Sequence, residues 1–178
     1  MSGSLKSEST AVVLVDFQER FDGPVAGFCE AAQRASVLAG GAAALGMRVV
    51  LTEQYPKGLG RTVKIVAEAL QNPTAIEKTV FSAVRAEGFD LGQVDSAVVC
   101  GVEAHVCVAQ TVTDLLERGV SVHIPADAVA SRSDRDRDIA LERLRSRGAE
   151  ITTVEAVLFE LLGGAGHEQF KEVQALIK

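Results

Sequence analysis

The sequence predicts an α/β three-layer sandwich, a parallel sheet of six strands with helices on both faces. Three observations carry this. Continuous apolar runs such as Ala11-Val12-Val13-Leu14-Val15 and Ala97-Val98-Val99-Cys100 read as strands buried on both sides, the mark of a parallel sheet. Strand-like and helix-like stretches alternate along the whole length, the order of βαβ units with right-handed crossovers. The 178 residues are one domain's worth of chain, with no internal repeat and no interdomain linker, so residues 1–178 read as a single domain.

In chain order, residues 1–9 lack an apolar core and read as a loose N-terminal tail, not a signal peptide. The first strand, 11–15, ends at Asp16. Gly23-Pro24 marks a turn, and 26–45 reads as an Ala-rich helix that Gly40-Gly41 weakens near its end. Residues 48–53 form a second strand, 55–60 a loop and 63–70 a helix. A short third strand lies at 74–77, the fourth at 96–100 and the fifth at 121–125. Residues 134–147 are helical, with mixed charges that suit a solvated face. A sixth strand at 150–153 precedes helices at 154–162 and 167–177.

Composition excludes several classes of function. The net charge of −6 and the absence of a basic face argue against a nucleic-acid partner. No apolar run approaches the ~20 residues of a membrane span. Three cysteines without framework spacing suit a reducing, cytoplasmic setting. Strand one runs into Asp16-Phe17-Gln18-Glu19-Arg20, not a glycine-rich turn, so no nucleotide cofactor is expected.

Cys107 is the most informative residue. It follows the fourth strand through Gly101-Val102-Glu103-Ala104-His105-Val106 and opens a run with apolar residues at Val108, Val112, Leu115 and Leu116. A thiol in the first turn of a helix feels the positive end of the dipole, which favours thiolate. Most free cysteines are nonetheless small buried hydrophobes. Asp16 alone reads as a cap, and Lys78, in Glu77-Lys78-Thr79-Val80-Phe81-Ser82-Ala83, alone reads as a surface charge. His105 stands two positions before Cys107 and should point elsewhere, which makes it a poor base.

Taken together, the three segments resemble a known family. Aspartate in D-x-Q, lysine in K-T-x-F-S-A and cysteine in G-V-x-A-x-V-C-V are similar to the isochorismatase-like cysteine hydrolases. The stretches Thr52-Glu53-Gln54-Tyr55-Pro56-Lys57-Gly58-Leu59-Gly60 and His167-Glu168-Gln169-Phe170-Lys171-Glu172-Val173-Gln174 resemble the branch called isochorismatase domain-containing proteins. The resemblance implies a Rossmann-like strand order 3-2-1-4-5-6, with Asp16 and Cys107 meeting at the topological switch point. It also implies an Asp16-Lys78-Cys107 triad, an oxyanion hole from the N–H groups of Glu103 and Cys107, and a cis peptide between Val102 and Glu103. The implied reaction is attack on a small amide or related acyl carbon through a thioester.

Nicotinamidases of the same superfamily carry an Asp-x-His metal arrangement after strand two. Here that region reads Leu51-Thr52-Glu53-Gln54-Tyr55-Pro56, and no metal is expected. Phe17, Gln18, Tyr55 and Phe81 are weaker candidates for a substrate pocket. Isochorismate-type vinyl ether hydrolysis, which needs no cysteine, and a non-catalytic interaction role are the competing readings. A homo-oligomer is expected from family habit, with apolar contacts from the 55–59 loop and from Phe159, Leu161 and Leu162.

Overall fold

The computed structural model describes residues 5–71 and 73–178. Its sheet consists of β1 (Thr10–Val15), β2 (Arg48–Gln54), β3 (Ile76–Lys78), β4 (Ser96–Val102), β5 (Ser121–Pro125), β6 (Val129–Ala130) and β7 (Glu150–Thr152). The strand order is β3-β2-β1-β4-β5-β7 and all pairings are parallel. Six of these strands are those the sequence predicts, in the implied order. The two-residue β6 is an addition. It pairs with Gly101 and Val102 and lengthens the sheet beside the end of β4.

Helices α1 (Phe28–Ala44), α3 (Lys64–Ala69), α6 (Val154–Leu162) and α7 (Phe170–Ile177) pack together on one face. On the other lie α4 (Ala109–Glu117) and α5 (Asp134–Ser146). The short α2 (Pro56–Leu59) stands where the sequence suggests a loop, with Pro56 at its first position, where a missing N–H costs nothing. Every residue of β1 is buried, and so is all of β4 after Ser96, as two-sided burial requires.

Three expectations need correction. Residues 5–9 are not loose. Leu5 is buried, its N–H donates to Glu160 Oε1 at 2.8 Å, and Ser7–Ser9 forms a 3-10 turn; residues 1–4 lie outside the described part. The first helix starts at Phe28, after Gly27 in the left-handed region and after Ala26 bridges to Ser131. Gly40 and Gly41 do not fray the helix; they let α1 approach its neighbours. A Cβ on Gly41 would stand 2.4 Å from Leu158 Cδ2, and one on Gly40 would stand 3.2 Å from Leu176 Cδ1. Gly41→Ala is therefore expected to destabilise the fold by about 1–3 kcal/mol through overpacking, despite the higher helix propensity of alanine. Thermal melting checks this, and a raised melting temperature would refute it.

Gly101 places the strand ends that matter for the site. Its φ is +142°, and an added Cβ would lie 2.1 Å from the carbonyl oxygen of Val15. Val15 is its register partner in β1. Only glycine lets β4 pass this close to the last residue of β1, so Asp16 and the turn after β4 leave the sheet side by side.

Candidate active site

Asp16 follows β1 in the left-handed region, at φ 57°, a conformation that costs a non-glycine residue roughly 1–3 kcal/mol. Its backbone N–H donates to the Thr52 carbonyl, and the carboxylate turns under the surface, fully buried. The Thr52 hydroxyl donates to Oδ1 at 2.7 Å, and Lys78 Nζ donates to Oδ2 at 2.6 Å. Lys78 is the last residue of β3 and the register partner of Gln54. It does not follow the strand, as the sequence suggests, and its side chain is fully buried with that of Asp16. Lys78 Nζ also donates to Gln54 Oε1 at 2.7 Å and to the Phe81 carbonyl at 3.0 Å. The Val80 carbonyl, at 3.4 Å, is a fourth and more distant acceptor, so all three ammonium protons have partners.

Cys107 sits in a wide π-type turn, Ala104–Val108, that joins β4 to α4. Such turns recur at functional sites. Cys107 is 5% exposed, and its thiol feels the charges of both Asp16 and Lys78. The three sequence-predicted residues are therefore brought together at the carboxyl ends of β1, β3 and β4. The peptide between Val102 and Glu103 is cis. The Glu103 side chain turns away to accept from the N–H and Nε of Arg132, at 3.0 and 2.9 Å. His105 Nδ1 lies 3.0 Å from the Ser131 hydroxyl.

The electrostatics reverse one expectation. Burial, followed by the charge of Asp16, pushes the Cys107 thiol up to about 12, and Lys78 opposes this only in part. The dipole argument for a resting thiolate fails because it leaves out desolvation and because Lys78 already holds Asp16 at 2.6 Å. Burial also raises the Asp16 carboxyl, against the pull of Lys78 and the hydrogen bond from Thr52. The resting site thus pairs a neutral thiol with a carboxylate more basic than usual.

A second set of buried contacts ties Lys78 to Cys107. The Thr111 hydroxyl, one turn into α4, donates to the Cys107 carbonyl at 2.7 Å and accepts from the Ala83 N–H at 2.9 Å. The Ser82 hydroxyl donates to Asp114 Oδ2 at 2.6 Å, and Arg85 grips the same carboxylate with two nitrogens at 2.7 Å. The Ser-Ala of the K-T-x-F-S-A segment thereby fixes the loop whose Phe81 carbonyl caps Lys78. Thr111→Val is expected to cost about 1–3 kcal/mol by leaving the buried Ala83 N–H without its acceptor. Calorimetry checks this, with Thr111→Ser as the variant that restores the melting temperature.

Of the pocket candidates, Phe17 and Gln18 need correction, because neither presents surface to solvent. Phe17 packs on Phe28 with ring centroids 6.3 Å apart. Gln18 holds the turn: its amide donates to the Gln54 and Gly60 carbonyls, and its Oε1 accepts from the Gln54 N–H. Tyr55 and Phe81 are both about half exposed. Tyr55 borders a cleft of about 460 Å³ along Lys78, Thr79 and Val80. The sequence reading missed Gln54 and Thr52 as partners of the buried pair. Their only sequence signal is alternation along β2, which puts both side chains on one face. Among the described residues, no three His, Cys, Asp or Glu side chains converge as metal ligands.

Comparison with known proteins bears on the family and the fold. The Isochorismatase domain family matches residues 10–156. Isochorismatase domain-containing protein 2 of Danio rerio is 42% identical over 180 residues, covering 98% of this chain and 90% of that protein. The Homo sapiens protein of the same name is 42% identical over 179 residues, covering 99% and 86%. A solved structure named MAR1 ribonuclease, from Caenorhabditis elegans, superposes with a TM-score of 0.92 at 40% identity, covering 98% of this chain and 92% of that one. With the family domain spanning most of its length and relatives this similar end to end, the chain belongs to the isochorismatase domain family.

Proposed function

We propose that the protein is a metal-free cysteine hydrolase that cleaves a small amide or related C–N or acyl substrate through a thioester. Family membership supports a hydrolase. The observation that carries the finer reading is the buried Asp16–Lys78 pair, 2.6 Å apart, set against the thiol of Cys107.

As Cys107 Sγ attacks the carbonyl carbon, Asp16 accepts the thiol proton. With the thiol near 12 and the carboxylate raised, the proton moves during attack and not before it. The carbonyl oxygen becomes an oxyanion facing the N–H groups of Glu103 and Cys107. Collapse breaks the C–N bond, and the leaving amine takes the proton from Asp16. Water, deprotonated by Asp16, then cleaves the thioester and returns the thiol. Lys78 keeps Asp16 oriented and compensates its buried charge. The near-closure of Cys107 favours small substrates.

The test is a screen of small amides with wild type and Cys107→Ala. Turnover of at least one amide that is lost in the variant is expected. Vinyl ether cleavage that survives Cys107→Ala but not Asp16→Asn would replace the thioester reading. Turnover of nothing by either protein would favour an interaction role. RNA belongs in the same screen because of the name of the Caenorhabditis elegans relative. The net charge of −6 disfavours it, and RNA cleavage that depends on Asp16 would displace the amide reading.

We also propose that the chain is a cytoplasmic homo-oligomer; among the described residues no helix is long and apolar enough to cross a membrane. Of the apolar contacts expected from the sequence, Leu161 and Leu162 are buried within the protomer and are not available. Tyr55 and Phe159 remain exposed and are the contacts of choice. Light scattering at micromolar concentration is expected to show a dimer or larger, and a monomer alone would refute this.

A further inference from the structure

Between α4 and the end of α5 lies a second cleft, of about 260 Å³, that shares no residue with the Asp16-Lys78-Cys107 cluster. Its lining includes His105, Gln110 and Thr113, Arg143 and Arg147 from the end of α5, and Arg85 with Asp114. Three arginines therefore line a space whose own lining holds one carboxylate, Asp114, with Glu117 in the adjoining cleft beside Thr113 and Arg147. The Asp114 carboxylate is already engaged: both of its oxygens bind Arg85, and Oδ2 also accepts from Ser82.

Among the described residues, the remaining two arginines have no ionic partner, and Arg147 donates there only to the neutral Thr113 hydroxyl, at 3.1 Å. Among the described residues, the Arg143 guanidinium forms no ion pair, unlike Arg137 near the other end of the same helix, which pairs with Asp134 and Asp138. Arg143 and Arg147 stand four residues apart, where like charges on one face destabilise a helix. Basic residues do suit a helix C-terminus. Yet Arg147 reaches across to α4 and leaves the last carbonyls to the backbone N–H groups of Arg147, Gly148 and Ala149. This excess of positive charge stands out in a chain of net charge −6.

We propose that this cleft binds a phosphate group, held between Arg143 and Arg147 with hydrogen bonds from the Gln110 and Thr113 side. Paired guanidinium forks match a tetrahedral oxyanion. The volume lies below the ~300–1,000 Å³ of pockets for larger ligands, so it suits a phosphate ion or the phosphate end of a small molecule.

Titration calorimetry at matched ionic strength tests the proposal, with inorganic phosphate and phenyl phosphate as probes. Saturable binding by wild type is expected, weakened roughly tenfold or more in Arg143→Gln/Arg147→Gln. Both arginines are exposed, so the melting temperature without phosphate should hold. Tighter binding of phenyl phosphate assigns the cleft to a phosphate monoester, and equal binding assigns it to the free ion. Cys107→Ala should bind as wild type does, which keeps this test independent of the hydrolase reading. Undiminished binding in the double variant, no saturable binding by wild type, or acetate competing as well as phosphate would overturn the proposal.

Discussion

Cys107→Ala is expected to abolish amide hydrolysis, and Asp16→Asn to lower it by about 10²–10⁴-fold, the usual contribution of a positioned general base. The two losses should not add, because attack and proton transfer occur in one step. A pH profile of the wild type adds a second check. Asp16 must be ionised to accept the thiol proton, and burial raises its carboxyl above the ordinary aspartate value. Activity should therefore fall on the acid side at a higher pH than a solvent-exposed aspartate would give. The resting thiol, pushed up to about 12, adds no rise near pH 8.5, where an ordinary cysteine titrates. An acid limb at or below the usual carboxylate range would show that Asp16 is not the base.

Lys78→Met is expected to remove activity and also to destabilise the fold by about 3–5 kcal/mol, because it leaves a fully buried carboxylate without its partner. At roughly 2–4 °C per kcal/mol for a chain of this size, the melting temperature should fall by about 10 °C. The penalty depends on pH with a definite sign. Without Lys78 the Asp16 carboxyl rises further in the folded state. Below the wild-type folded value the carboxyl is protonated in both folded proteins and the gap is small; it grows as pH rises through that raised value and is complete above the still higher folded value of the variant. The gap to wild type should be wide at pH 8 and narrow at pH 5. Asp16→Asn/Lys78→Met should recover most of the stability and none of the activity. A variant as stable as wild type at pH 8 would contradict the buried pair.

The strands were legible in the sequence where burial on both faces leaves a continuous apolar run, as in β1 and β4. Strand β6 was not, because a two-residue pairing leaves no pattern. Cys107 stood out through its position at a helix start just past a strand. Asp16 and Lys78 did not, since alone one reads as a cap and the other as a solvated charge, and only the family resemblance moved them to the site. Gln54, Thr111 and Asp114 were illegible for another reason. Their hydrogen bonds span 24, 28 and 32 residues and exist only once the sheet register and the α4 packing are set. The resting state of Cys107 was misread because a helix N-terminus is visible in sequence whereas desolvation is not.

The central claim is that Cys107 carries an acyl group during turnover. Its most direct test is peptide mapping after an acid quench of a p-nitrophenyl acetate reaction. A Cys29→Ser background removes the one exposed thiol. Acetyl-Cys107 is expected, discharged on standing in buffer, and lost in Asp16→Asn and Cys107→Ala. Steady ester turnover with Cys107 unmodified, or turnover undiminished in Cys107→Ala, would contradict it.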